Sequence, residues 1–244
     1  GGFGCATYCL PEFTYSHDGK DRRDNITGQA VTRFQNHFDD DSIKRLDIFH
    51  YVYAVLHHPA YRARYAENLK RDLPRIPFLA AGVVSRPLDC TANTGDERTA
   101  KEIKQDAEAF WAFVKTGKRL AELHVNYEEQ PEFPLQRIEN KEANLNWRVE
   151  TMKLTKDRSA IIYNDWLTLA GIPEEVFDYR LGNRSALEWV IDQYRVTRDA
   201  DEEIISDPNR LDDEEYIVRL IGQVVQVSVE TLKVIGKLPE LKFP

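Results

Sequence analysis

Two stretches of apolar residues at steps of three and four constrain this chain most. Between about 98 and 124, Ile103, Ala107, Phe110 and Val114 fall on one stripe. Between about 213 and 236, Ile217, Leu220, Val224 and Val227 do the same. A 3.6-residue period predicts helices with one buried face, so the core must be built around long helices. The second stretch is rich in β-branched residues, which makes a strand its competitor. Gly117 interrupts the first stripe and is an expected kink or split point.

Shorter signals fill the rest. Residues 26–38 predict a short helix with Val31, Phe34 and Phe38 on one face. Asp47 is placed to cap a helix carrying Ile48, Val52 and Val55, which Pro59 ends. A second helix follows at once, with Tyr61, Tyr65 and Leu69 at four-residue spacing, so 47–72 reads as a helical hairpin. Residues 79–96 and 199–213 read as loops, and 125–147 as Pro-rich and irregular. Residues 148–163 read as a β-hairpin turning at Asp157-Arg158-Ser159, with another short strand in 164–172. Ser185-Ala186-Leu187-Glu188 is a capping box that opens a helix over about 185–196. The expected fold is therefore helix-rich α+β, with a small antiparallel sheet around 148–170. Its amphipathic helices lie around 47–72, 98–124, 185–196 and 213–236. A subdivision is expected into a mainly helical part, 1–124, and a part with the hairpin and C-terminal helices, 125–244.

Length and charge bound the function. A chain of 244 residues is one large domain or two small ones. The formal net charge of −8 excludes a basic coat but leaves room for a local basic patch. No apolar run approaches the ~20 residues of a membrane span. The Gly1-Gly2-Phe3-Gly4 start reads as a cut fragment of a longer polypeptide, not a secretory leader. Cys5, Cys9 and Cys90 are too few and too scattered for a disulfide scaffold or a zinc knuckle, and point to a reduced, cytosolic protein. Asn25-Ile26-Thr27 fits a glycosylation sequon and reads as chance.

Catalytic signatures are scarce. The chain has no phosphate-loop motif, no G-x-S-x-G elbow and no H-E-x-x-H. Asp207-Pro208-Asn209-Arg210 is the nearest string to an amino-methyltransferase loop, and it lacks the second proline and the aromatic. Asp89 with Glu102-Ile103-Lys104 matches a metal-dependent nuclease string. That chemistry needs Glu102 and Lys104 on one face of a strand, whereas here they fall two apart on a predicted helix. His57 and His58 are read as favouring the helix dipole at a C-terminus rather than as metal ligands. His50 and His124 are read as satisfied core or boundary histidines.

Two clusters carry a binding signal. Arg62, Arg64, Lys70, Arg71 and Arg75 could contact phosphates. Composition alone favours a solvated helix face, with Glu67 and Arg71 as an i,i+4 pair. Tyr179-Arg180-Leu181-Gly182-Asn183-Arg184 forms a Gly-containing turn before the capped helix. Arginine and asparagine read guanine and adenine edges bidentately, and amides at the next helix N-terminus suit a phosphate. A turn with Gly182 at positive φ and its arginines in surface ion pairs explains the same residues equally well.

At these residues the sequence resembles a known family. DIFHYVYAVLHHPAYR (residues 47–62) and YAENLKRDLPRIPF (65–78) are similar to the hallmark stretch of the C-terminal specificity domain of Type ISP restriction–modification enzymes. LAELHVNYE (120–128), YRLGNRSALEWV (179–190) and VSVETLK (227–233) resemble further blocks, in the family's order. The resemblance implies a target-recognition domain within a long polypeptide. That parent carries a nuclease, a helicase-like ATPase and an adenine-N6 methyltransferase, and uses S-adenosylmethionine, ATP and Mg²⁺. It implies no cofactor and no catalysis for this segment itself. The implied partners are double-stranded DNA and the methyltransferase and helicase–nuclease domains, with no membrane. Arg62, Arg64, Lys70, Arg71 and Arg75 would then set register on phosphates, and Arg180, Asn183 and Arg184 would read bases. The alternative is a helical docking module that joins the parent's other parts and touches DNA little. An exposed apolar face on 213–236 would support it.

Overall fold

The computed structural model describes residues 11–80, 83–87, 98–198, 204–241 and 243. It divides into two units. The first is residues 1–121 with 237–244, and the second is 122–236.

The first unit opens with a hairpin of β1 (Phe13–Tyr15) and β2 (Arg22–Asp24), where Arg22 lies 4.4 Å from the centre of the Phe13 ring. Thr27 then caps α1 (Gly28–Phe38), its hydroxyl accepting from the Ala30 amide at 3.2 Å. This is the structural use of the threonine in the apparent sequon. α2 (Arg45–His57) starts two residues before the expected cap. Asp47 sits inside its first turn, and its carboxylate accepts from the Lys44 amide at 2.9 Å. α3 (Pro59–Arg64) follows with proline in its first turn, and stops much earlier than the sequence periodicity predicts. Residues 65–72 form turns instead. The region read as a loop from 79 contains a hairpin, β3 (Pro77–Ala80) against β4 (Val83–Pro87).

α4 (Ala100–Val125) passes through Gly117 without a break. The glycine serves close packing: a Cβ there would lie 1.8 Å from the His50 carbonyl oxygen of α2. The core is aromatic. Phe34 lies 4.8 Å from Phe78, Phe38 4.7 Å from Phe110, and Tyr51 5.1 Å from Phe110, centroid to centroid. Such pairs add about 0.5–1.5 kcal/mol each beyond their buried area. Leu241, from the returning C-terminal segment, is buried in the same core. Asp106 is fully buried and paired with Arg98 at 2.8 Å, and Arg98 also donates to the His37 carbonyl at 2.6 Å. The pair ties the start of α4 to the end of α1.

The second unit holds a four-stranded antiparallel sheet in the order β5 (Gln136–Glu139), β8 (Leu167–Ala170), β7 (Ala160–Ile162), β6 (Lys153–Leu154). β5 lies inside the stretch read as irregular. Leu167 and Leu169 alternate with half-exposed Thr168 and Ala170, as a sheet with one buried face requires. β6 is shorter than the expected hairpin arm because Val149 pairs elsewhere. The Asn209 side chain accepts from the Val149 amide at 2.9 Å and donates to its carbonyl at 2.8 Å. That pair of hydrogen bonds accounts for the Asp207–Arg210 string as structure.

Next come the two-residue strands β9 (Arg180–Leu181) and β10 (Arg184–Ser185), then α5 (Ala186–Gln193). A further hairpin, β11 (Thr197–Arg198) with β12 (Ile205–Ser206), places strand where an acidic loop was expected. α6 (Tyr216–Ile235) settles the helix-or-strand ambiguity as helix, and sends Ile217, Leu220, Ile221, Val224 and Val225 into the core beneath the sheet. Among the described residues, no helix is long and apolar enough to cross a membrane.

Candidate nucleic-acid interface

The first basic cluster is carried by a pinned turn segment. Two buried tyrosines hold its downstream end. Tyr61 donates to the Arg75 carbonyl at 2.9 Å, and Tyr51 to the Pro77 carbonyl at 2.8 Å. Burial raises both phenol pKa values, Tyr61 to about 12 with help from neighbouring Tyr65, so both remain donors at neutral pH. At its upstream end, His58 caps α3. Its Nδ1 accepts from the Ala60 amide at 3.1 Å, which leaves Nε2–H to donate to the Pro239 carbonyl at 3.1 Å. His58 therefore serves a helix N-terminus as a neutral ring, and burial lowers its pKa. His57 closes α2 through a 2.8 Å contact between Nδ1 and the Tyr53 carbonyl. Its pKa is lowered by burial and by the Arg62 charge. Neither histidine is the charged dipole partner that its position suggested.

On this frame Arg64, Lys70, Arg71 and Arg75 are exposed, and Arg62 is half-buried. Lys70 pairs with Glu67 at 2.7 Å. The expected Glu67–Arg71 pair does not form, because helical spacing ends at Arg64. Arg64, Arg71 and Arg75 make no ion pair with another described residue. Beside them Tyr61, Tyr65, Asn68, Leu69, Asp72 and Arg75 line a cleft of about 290 Å³.

The second cluster is a tight hairpin. β9 and β10 pair Leu181 with Arg184 across Gly182-Asn183. Gly182 has φ of +73°, and Asn183 is not at positive φ, the pattern of a type II′ turn with glycine first. Arg180 donates to the Asn183 carbonyl. Arg184 pairs with Asp192 at 2.7 Å and lies 5.2 Å from the Trp189 ring centre, while Trp189 donates to the Leu181 carbonyl at 2.9 Å. The Asn183 side chain is exposed at the tip. The geometry thus supplies both features left open by the sequence: a presented Asn183, and arginines engaged in local pairs.

The phosphate expected at the α5 N-terminus meets a different arrangement. Ser185 accepts from the Glu188 amide at 3.2 Å, and Glu188 accepts from the Ser185 amide at 2.8 Å. Burial opposes ionisation of Glu188, but the Ser185 hydrogen bonds and the Arg158 and Arg180 charges outweigh it and lower the pKa. A carboxylate therefore already occupies the place offered to an anion.

The nuclease string does not assemble as its chemistry needs. Glu102 and Lys104 lie on α4, and Glu102 accepts from the Thr99 amide and hydroxyl at 2.8 and 2.7 Å, a capping box that the Thr99-x-x-Glu102 spacing encodes. Asp89 lies outside the described residues, as do Cys5, Cys9 and Cys90. Among the described residues, no group of three or more His, Cys, Asp or Glu could hold a metal ion. His124 is satisfied, its Nε2 2.9 Å from the Thr231 hydroxyl and its ring stacked on Tyr179. Arg158 and Arg195, beside α5, were missed by the sequence reading. Arg158 pairs with Glu188 at 2.8 Å, and Arg195 lies 3.6 Å from Asp192.

Comparison with known proteins gives the geometry a context. The family model of the Type ISP C-terminal specificity domain matches residues 2–220. No curated protein matches the sequence. Among solved structures, a nuclease-deletion mutant of the Type ISP restriction–modification enzyme LlaGI, in complex with a DNA substrate mimic, matches 96% of the chain at 36% identity with a TM-score of 0.68. The ATP-dependent Type ISP restriction–modification enzyme LlaBIII bound to DNA matches 95% at 29% identity and 0.71. The DrdV–DNA complex matches 95% at 36% identity and 0.72. The chain spans 18%, 14% and 21% of those three chains.

Proposed function

The chain belongs to the family of Type ISP C-terminal specificity domains, and on that premise we propose that it recognises a specific sequence in double-stranded DNA. In this reading it has no catalysis and no cofactor of its own. It directs adenine methylation and cleavage by other domains of a longer polypeptide, which use S-adenosylmethionine, ATP and Mg²⁺. The observation that carries the reading is that enzymes sharing this fold over nearly the whole chain were solved on DNA. Arg62 and Arg64 on α3, with Lys70, Arg71 and Arg75 on the pinned segment that follows it, contact phosphates. Asn183 reads a base edge from the hairpin tip, with Arg180 and Arg184 as its flanking cations. Against the docking alternative stands the burial of α6: its apolar stripe lies in the core rather than on an open face.

The test is a titration of the 244-residue chain with randomised duplexes between about 50 and 200 mM salt. A preferred site should be enriched. Asn183→Ala should cost about 1–3 kcal/mol of discrimination at one position and leave the salt dependence unchanged. Arg64→Ala and Arg71→Ala should each weaken binding to all sequences and lower the salt slope by about one. Binding with no preferred site would sink the recognition reading.

A further inference from the structure

We propose that the cleft beside α5 is a second phosphate-binding surface, taking the sugar–phosphate backbone of duplex DNA between Lys153, Arg184 and Arg195. This rests on the DNA-recognition reading and extends it to Lys153 and Arg195, which lie outside the two sequence clusters and join Arg184 of the second.

The cleft encloses about 400 Å³. Its cations come from three separate segments: Lys153 from β6, Arg184 from β10, and Arg195 from the turn after α5. Its carboxylates come from one element. Glu188 and Asp192 are four apart on α5 and so lie on one face of that helix. Each carboxylate organises two cations. Asp192 holds Arg184 at 2.7 Å and Arg195 at 3.6 Å. Glu188 holds Arg158 at 2.8 Å and feels the charge of Arg180.

The exposures rank the charges. The Glu188 and Asp192 side chains are 28% and 30% exposed, whereas Arg158, Arg184 and Arg195 are 45%, 41% and 50% exposed. The carboxylates sit beneath and the guanidiniums face out. The cleft's own lining carries three cations, Lys153, Arg184 and Arg195, against two carboxylates, Glu188 and Asp192, so it is net positive in a chain that is acidic as a whole. Exposed ion pairs contribute only about 0–1 kcal/mol each, so fold stability alone is a weak reason for such an array. A guanidinium presents five N–H donors in a rigid fork. One bound to a carboxylate on one edge still offers donors to a phosphate on another. The Ser185–Glu188 box also closes the nearby helix N-terminus, so a phosphate here depends on side chains rather than on amides.

The test is the double variant Lys153→Ala/Arg195→Ala in the 244-residue chain, titrated with duplex DNA across a salt series. Both side chains are exposed, so the unfolding midpoint should match that of the unaltered chain. Removing two phosphate contacts should lower the slope of log affinity against log salt by about 1.8, equally for all sequences and with the preferred site unchanged. An unchanged slope would overturn the cleft proposal and leave the recognition reading standing. A changed preferred site at constant slope would overturn it too, because the cleft would then read bases. If the unaltered chain binds no duplex at any salt, the recognition reading fails and this proposal with it.

Discussion

Replacing Gly117 by alanine tests the close backbone approach of α4 to α2. In an exposed helix interior this change stabilises by about 1 kcal/mol, because alanine loses less backbone entropy. Here the new Cβ would stand 1.8 Å from the His50 carbonyl oxygen, 2.7 Å from its carbon and 3.2 Å from its Cα. Ordinary close C···O contacts lie at about 3.3–3.6 Å, so the backbones of α2 and α4 must move apart by roughly 1.5 Å. No rotamer relieves this, since both partners are main chain. The movement opens the packing around Tyr51, Phe110 and Phe113, all fully buried. Overpacking costs about 1–3 kcal/mol and sometimes more, and a backbone clash belongs at the upper end. After the propensity gain, a net loss of about 2 kcal/mol is expected, or about 4–8 °C in Tm for a chain of this size. The assay is thermal unfolding by circular dichroism, with Lys118→Ala, one exposed residue further along the helix, as control. A Gly117→Ala protein as stable as the parent, or more so, would refute the close-packing explanation and return the glycine to a role in local flexibility.

Four further outcomes follow from the same geometry. Asp106→Ala removes the buried carboxylate that neutralises Arg98, leaving that guanidinium only uncharged partners such as the His37 carbonyl among the described residues, and should cost about 3–5 kcal/mol in denaturant unfolding. His58 acts as a neutral ring whose folded pKa is lowered from its ordinary 6.5, so the stability it lends is complete above that value and is lost as the pH falls through the lowered one. The unfolding midpoint should therefore drop on acidification below about pH 6.5, and His58→Asn, which keeps a capping oxygen, should flatten that dependence. Tyr61→Phe removes the donor to the Arg75 carbonyl and should cost about 0.5–1.5 kcal/mol. It should also speed amide hydrogen exchange across residues 65–76. Ser185→Ala breaks the α5 capping box and should cost about 0.5–2 kcal/mol in thermal unfolding.

The elements legible in the sequence are those whose signal is local and periodic. The 103–107–110–114 and 217–220–224–227 stripes became α4 and α6, and the Ser185–Glu188 box opens α5 where its spacing says. The misses have a common cause, partners distant in sequence. The stripe Tyr61, Tyr65, Leu69 predicts a continuing helix, but Tyr61 and Tyr51 bond carbonyls 14 and 26 residues away and fix turns instead. β5 was hidden because its partner, β8, begins nearly thirty residues later. Val149 looked like strand, yet its backbone is paired by the side chain of Asn209. At the candidate site, the Gly182 turn could be read from residue types alone. The array on α5 could not, since Arg158 reaches Glu188 from a turn thirty residues upstream. Thr99-x-x-Glu102 was legible as a cap and was passed over for a catalytic string.

The placement of charge reconciles an acidic chain with the DNA-binding role proposed for it. Net charge sets the far field, whereas contact depends on which charges lie outermost. A chain at −8 gains little long-range attraction to a polyanion, so binding must come from short-range, fixed cations. In the proposed reading, the cations around α3 and those beside α5 meet that need by different means. After α3, buried tyrosines hold a turn segment rigid by its carbonyls and leave Arg64, Arg71 and Arg75 outside. Beside α5, carboxylates under the surface aim the arginines directly. The first device leaves Arg64, Arg71 and Arg75 without a carboxylate partner among the described residues, so their contribution should fall steeply with salt. The second leaves each guanidinium partly neutralised by a carboxylate, and geometric fit to the backbone should carry more of its share. Comparing salt slopes of Arg64→Ala/Arg71→Ala with those of Arg158→Ala/Arg184→Ala, the two arginines held by carboxylates, measures that division. A slope change for the first pair smaller than that for the second would contradict the assignment of charge to one and fit to the other.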